Sequence, residues 1–234
     1  MCGIAGIWRW DGQPVDEDRL RGMAQALAHR GPDGEGVWVE GGVGLVHRRL
    51  AIIDISPRGA QPMVSADERY VVTFNGEIYN YQDLRRSCEE RGSVFRSDSD
   101  TEVLLHLYAR LGEKMLSELR GMFAFVIWDR EARRLFAARD RVGKKPLYYS
   151  YSNRHFAFAS EIKALFFESR PSVDWNAVRV FLGLQYVPAP YTGFENVYAL
   201  LPGTACTFTP EEGLRAWQYD NVFHAEPFVG TFVQ

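Results

Sequence analysis

Three features of the sequence predict an α+β fold in which two mostly antiparallel sheets pack face to face with helices outside, a four-layer α/β/β/α sandwich. Short segments rich in Val, Ile, Leu and aromatic residues, each closed by turn residues, recur in two groups along the chain. Stretches with helical spacing of apolar residues lie beside and between these groups. Within Met122–Asp129, Phe123, Phe125 and Ile127 alternate with Ala124, Val126 and Trp128, so this strand is apolar on both faces and needs a covering layer on each. A chain of 234 residues with 46% hydrophobic and 14% aromatic content is long enough to bury such a core.

Taken in order, Gly3–Trp10 reads as a buried strand ending at the turn Asp11-Gly12. Asp16 caps a helix carrying Leu20, Met23, Ala24 and Leu27 on one face and ending near Ala28. His29–Gly36, with three glycines and a proline, reads as a loop. Strands are expected at Val37–Val39, Gly44–His47, Leu50–Ile55 and Tyr70–Phe74, the last closed by an Asn75-Gly76 turn. A helix over Gln82–Arg91 stops at Gly92, and Ser99 with Glu102 suggests a capping box opening a second helix that runs to Gly112. After a short helix at Glu113–Leu119, strands follow at Met122–Asp129, Leu135–Arg139, Leu147–Tyr151 and His155–Ala159. Arg139–Lys145 between them reads as a solvated charged loop. Helices at Glu161–Phe167 and Asn176–Leu184 precede a stretch broken by prolines, so the chain from about residue 170 reads as a connecting region with a hairpin.

Composition narrows the function. A net charge of −3, from 27 basic and 30 acidic residues, gives no electrostatic footprint for nucleic acid or an anionic membrane, and a small or neutral partner fits better. No run approaches the roughly 18 apolar residues of a membrane span. Cys2, Cys88 and Cys206 are odd in number and widely spaced, without paired metal-ligand spacing, which favours a reducing, cytoplasmic setting and no metal.

Four places along the chain carry candidate chemistry. If Met1 is removed, Cys2 holds a thiol and a free α-amine, and an amine titrating at about 7.7 to 8.0 can serve as base for its own thiol; a cysteine near a terminus is also a small buried hydrophobe. Of the adjacent Arg48 and Arg49, strand alternation turns one inward, where it needs an anionic partner. Asn75 and Gly76 are either a hairpin turn or a side-chain amide and a backbone N–H able to hold one oxyanion. Asp100 fits the first turn of its helix, where the dipole favours an acid.

Taken together, eleven ordered motifs resemble the glutaminase domain of class II glutamine amidotransferases, N-terminal nucleophile hydrolases, and within them the asparagine synthetase branch. They include Met1-Cys2-Gly3-Ile4-Ala5-Gly6, His29-Arg30-Gly31-Pro32-Asp33, His47-Arg48-Arg49-Leu50, Gly59-Ala60-Gln61-Pro62, Phe74-Asn75-Gly76-Glu77, Ser99-Asp100-Thr101-Glu102 and Lys145-Pro146-Leu147-Tyr148-Tyr149. The resemblance implies that Cys2 attacks the glutamine side-chain amide with its own α-amine as base, and that Asn75 and the Gly76 N–H form the oxyanion hole. It further implies that Arg49 holds the α-carboxylate and that Asp100, with Glu77, holds the α-ammonium. Residues 1–170 would form the glutaminase domain and 171–234 a connecting segment toward a synthetase domain. That domain's Ser-Gly-Gly-x-Asp-Ser loop does not occur here, and residues 221–234 match no known segment of the family. On this reading glutamine is the substrate and no cofactor serves the glutaminase step. ATP and Mg²⁺ belong to a synthetase domain or subunit acting in trans, and a homodimer stays open. A glutaminase serving another acceptor and a non-catalytic glutamine-sensing or partner-binding module are the alternatives.

Overall fold

The computed structural model describes residues 1–167 and 169–220. Its first strands are β1 (Gly3–Arg9), β2 (Gly34–Glu40), β3 (Val43–Arg49), β4 (Met63–Val64), β5 (Tyr70–Ile78) and β6 (Gly121–Asp129). The later ones are β7 (Arg134–Arg139), β8 (Tyr148–Tyr151), β9 (His155–Ala159), β10 (Val197–Ala199), β11 (Thr204–Thr209) and β12 (Gly213–Gln218). The α-helices are α1 (Glu17–Ala26), α2 (Tyr81–Glu89), α3 (Asp100–Leu111) and α4 (Trp175–Leu184). One sheet has the order β10-β8-β9-β1-β3-β2 and the other β12-β11-β7-β6-β5-β4, every neighbouring pair antiparallel.

Three apolar layers make this the expected four-layer sandwich. Leu20, Met23 and Leu27 of the α1 region pack on Ala5, Ile7 and Val46. Ile4, Trp8, Leu45, Val71, Val126 and Phe158 fill the space between the sheets. Val103, Leu104 and Leu107 of α3 cover Phe74, Phe123 and Phe125. Alternation along each strand sends odd and even positions to different layers, which is why β1 and β6 are apolar throughout.

Asp16 caps α1 by accepting from the Asp18 N–H at 2.9 Å. Ser99 caps α3 through the Thr101 N–H at 3.1 Å, but no capping box forms: Glu102 instead accepts from the N–H groups of Arg96 and Ser97, at 2.9 and 2.8 Å. The short helices expected at Glu113–Leu119 and Glu161–Phe167 are 3₁₀ segments, Gly112–Ser117 and Ile162–Leu165. The loop at His29–Gly36 is shorter than expected because β2 already begins at Gly34.

Three larger corrections concern the region of the site. Leu50–Ile55 is not a strand: the pairing of β3 with β1 and β2 ends at Arg48 and Arg49, so no neighbour remains for a continuation, and Ile52 and Ile55 lie exposed. Asn75-Gly76 is not a turn, since β5 runs on to Ile78 with Asn75 opposite Ala124 and Gly76 opposite Phe123. Arg139–Lys145 is not a solvated face, because Asp140 and Lys145 are both buried. Residues 171–220 supply β10 to one sheet and the β11–β12 hairpin to the other. Residues 221–234 lie outside the described residues.

Candidate active site

The alternation that builds the inter-sheet layer also builds the site. In β1, Trp8 and Ile4 face the layer, and the same parity brings in Cys2. In β3, Val43 and Leu45 face it, followed by His47 and Arg49; in β5, Val71 is followed by Thr73, Asn75 and Glu77. The three strands run out of apolar residues at the same end of the sandwich. There they enclose a cavity of about 140 Å³ lined by Cys2, His47, Arg49, Asn75, Gly76 and Glu77, with Asp100 at the N-terminus of α3. That volume is close to the roughly 150 Å³ of a cavity that holds a benzene-sized molecule.

Cys2 is fixed from several sides. Its sulfur accepts the Leu50 N–H at 3.4 Å and lies 3.6 Å from the Leu50 carbonyl oxygen, to which the thiol donates. Arg30, itself 3.0 Å from the Glu161 carboxylate, donates from Nε to the Cys2 carbonyl oxygen at 2.9 Å. Next along the strand, Ser160 accepts the Ile4 N–H on its hydroxyl at 3.0 Å and donates its own N–H to the Ile4 carbonyl at 2.8 Å. Burial pushes the Cys2 thiol up, and the Leu50 N–H and the positive charges of the chain terminus and Lys145 oppose that push.

The two arginines diverge as alternation requires. Arg48 pairs with Glu35 on the neighbouring strand at 2.5 Å, whereas Arg49 lines the cavity. Arg49 donates to the Ser56 carbonyl at 2.9 Å and to the Asp54 carbonyl, and among the described residues it has no carboxylate partner. Loop 50–56 is thereby folded around the guanidinium, with Asp33 holding the Ala51 N–H at 2.9 Å.

Asn75 is 1% exposed, yet neither its Nδ2 nor its Oδ1 has a partner within the protein. A buried amide left unbonded costs stability, so its retention points to a ligand group. Its neighbour supplies a second donor through the ladder. Phe123 spends both its N–H and its carbonyl on Asp140, at 3.2 and 2.8 Å, on the side of β6 away from β5. Phe74, Gly76 and Ile78 therefore present their backbone groups on the free edge of β5. The Phe74 N–H goes to Gln61 Oε1 at 2.7 Å and the Ile78 N–H to Asp100 Oδ2 at 3.0 Å, with Gly76 between them on the cavity wall. Glycine is required there, because a Cβ would strike the Met122 carbonyl oxygen and stand 2.7 Å from the Phe74 ring.

Asp100 is 4% exposed, and burial with the nearby negative charge of Glu77 lifts its carboxyl to about 6, against the Ile78 N–H, which lowers it. His47 is held neutral, pushed down to about 3 by burial. Its Nε2–H donates to the Phe74 carbonyl at 3.2 Å, leaving Nδ1 without a partner.

All six residues singled out from sequence, Cys2, Arg49, Asn75, Gly76, Glu77 and Asp100, line this one cavity. His47, Gln61 and Lys145 line it too and were not singled out. His47 was legible as the position two before Arg49 on one strand face. Gln61, which joins Phe74 to the Thr101 hydroxyl (2.9 Å), and Lys145 carry no periodic signal.

Residues 1–219 match the family model of the glutamine amidotransferase domain. The chain belongs to this family. A glutamine-hydrolyzing asparagine synthetase of Bacillus subtilis, numbered 1, is 42% identical over 215 residues, covering 90% of this chain and 34% of its own. A second from that organism, numbered 3, is 41% identical over 228 residues, covering 95% of this chain and 37% of its own. The chain thus spans little more than a third of the length of these curated relatives. Among solved structures, glutamine phosphoribosylpyrophosphate amidotransferase from B. subtilis, complexed with ADP and GMP, superposes with a TM-score of 0.68 at 23% identity. It covers 94% of this chain and 49% of its own, a likeness that bears out the two-sheet, four-layer fold of this amidotransferase domain. Among the described residues no group of three or more His, Cys, Asp or Glu could hold a metal ion, and no helix is long and apolar enough to cross a membrane.

Proposed function

We propose that this domain hydrolyses the side-chain amide of glutamine on Cys2 and delivers the ammonia to an ATP-dependent amidating unit of the asparagine synthetase type. With Met1 removed, the Cys2 thiol proton passes to the α-amine and the sulfur adds to the amide carbon. Asn75 Nδ2 and the Gly76 N–H receive the oxyanion, each such donor being worth about 3 kcal/mol in the transition state. The amine returns the proton to the departing nitrogen as ammonia leaves, and water, deprotonated by the same amine, releases glutamate from the thioester. Arg49 pairs with the substrate α-carboxylate, and Asp100 with Glu77 pairs with its α-ammonium, which selects an amino acid over a plain amide.

The observation that carries this reading is the unbonded Asn75 amide beside the free edge of Gly76, both lining the cavity that Cys2 lines. A cytoplasmic setting and the absence of any cofactor in this half-reaction are parts of the same proposal. ATP and Mg²⁺ would serve the acceptor unit alone. An acceptor unit also accounts for the apolar face of α4, where Trp175, Phe181, Leu182 and Leu184 are exposed. Glutamate release from glutamine by the purified protein and by C2A is the test: loss of release in C2A supports the reading, and equal rates overturn it. Recovery of an ATP-using amidotransferase partner, and the acid it amidates, fixes the acceptor.

A further inference from the structure

The loop between β7 and β8 brings into the cavity a charge that the reaction above does not use. Lys145 is 4% exposed, and among the described residues its ammonium meets no carboxylate within 4.0 Å and makes no hydrogen bond. Its stem is buried while the ammonium is left to the cavity, and a charge brought that close to a core needs the chain behind it held in place. The loop supplies that hold. Asp140, fully buried, accepts the N–H groups of Val142, Lys144 and Lys145 at 3.2, 2.8 and 2.9 Å. Arg139 donates to the carbonyls of Gly143 and Lys145 at 2.8 and 2.7 Å and to that of Leu200 at 2.5 Å. Two buried or half-buried charged side chains are thus spent on backbone atoms to present the third.

Lys145 and Cys2 line the same cavity, and the Lys145 charge acts on the Cys2 sulfur. The chain terminus is the other positive charge on the sulfur and is the base of the reaction, and the remaining side-chain charges nearby are assigned elsewhere or of the wrong sign. Arg30 is paired with Glu161, Arg49, steadied by the carbonyls of Asp54 and Ser56, is assigned to the substrate α-carboxylate, and Glu77 and Asp100 disfavour a negative sulfur. His47 is neutral. Burial pushes the Lys145 ammonium down, the charge of Arg30 adds to that push, and the Cys2 sulfur, Asp140 and Glu77 oppose it.

We propose that Lys145 is a positioning residue of the glutaminase step, its ammonium acting through Cys2 as the counter-ion of the attacking thiolate. The proposal rests on the reading of Cys2 as nucleophile. The thiol proton moves to the α-amine, the thiolate forms beside Lys145, and the sulfur electron pair makes the bond to the amide carbon. That proton leaves with the ammonia, and Lys145 keeps its own throughout.

Iodoacetamide, small and uncharged, reads the thiolate of Cys2 without glutamine; Cys88 and Cys206 are covered, and C2A gives the blank. In protein shown by intact mass to start at Cys2, K145M is expected to alkylate about tenfold more slowly at neutral pH, its rate–pH curve displaced upward by about one unit. K145R is expected to keep the parent curve. With glutamine, K145M lowers kcat and leaves KM within about twofold, as loss of an interaction made only with the ionised sulfur requires. Coincident alkylation curves for parent and K145M overturn the proposal. Should K145M lose its folded circular dichroism spectrum, K145Q is read in its place. A displaced curve with no glutamate release by the parent keeps the counter-ion and sinks the glutaminase reading. Glutamate release by the parent with coincident curves does the reverse.

Discussion

The two ends of the layer between the sheets are made by the same strands and obey opposite rules. At one end Trp8 meets Trp128 with ring centroids 4.8 Å apart, and Phe156 stacks on Phe208 at 4.6 Å. At the other end, β1, β3 and β5 present Cys2, His47, Arg49, Asn75 and Glu77 around a cavity. The packed end gains from area removed from water. The open end carries three buried polar atoms without partners, on His47 and Asn75, and a carboxyl lifted to about 6, each a net cost to the folded state. One end therefore stabilises the sandwich, and the other is tolerated because the first exists.

That contrast can be broken by substitution. Trp8→Ala is expected to cost about 3–5 kcal/mol in chemical denaturation. In protein that still folds, it should leave KM for glutamine little changed. Asn75→Ala should do the opposite, lowering kcat by about 10²–10³-fold while stability stays level or rises, because an unbonded amide is removed. A matching loss of stability in Asn75→Ala would mean that the amide is structural.

Asp100 gives the smallest and most specific effect. Its folded value, about 6, lies above the ordinary 3.8, so its charge is a penalty in the folded state. The penalty is absent below pH 3.8, grows through the interval and is complete above pH 6. Asp100→Asn should thus stabilise the protein by up to about 3 kcal/mol at neutral pH and by little at pH 4. The same substitution should weaken glutamine binding, since the α-ammonium loses its charged partner. The α-amine base already makes kcat/KM for glutamine fall below its own pKa of about 8; in the parent that fall should steepen as pH drops through about 6, and Asp100→Asn should keep the amine limb and lose the steepening. Equal slopes for parent and Asp100→Asn between pH 5 and 7 would remove Asp100 from substrate binding.

Much of the sandwich could be read from residue order, because alternation in β1 and β6 and helical spacing in α1 and α3 are strong local signals. Leu50–Ile55 misled, since its β-rich composition is local whereas the end of pairing at Arg48 and Arg49 is set by strands distant in sequence. Asn75-Gly76 misled for a related reason: the dipeptide favours a turn, and nine residues of pairing with β6 override it. Cys2, Arg49, Asn75, Gly76, Glu77 and Asp100 were legible through motif order more than through local chemistry. Lys145 was not, because a run of charges between strands looks solvated until Asp140 and Arg139 are seen bonded to its backbone.

The central claim is that the open end is a glutamine site whose base is the α-amine of Cys2. Preparations containing different fractions of Met1-free protein, measured by intact mass, test it when each is assayed for glutamate release. The rate is expected to be proportional to the fraction that begins at Cys2 and to extrapolate to zero when Met1 is retained. A rate independent of that fraction would contradict it.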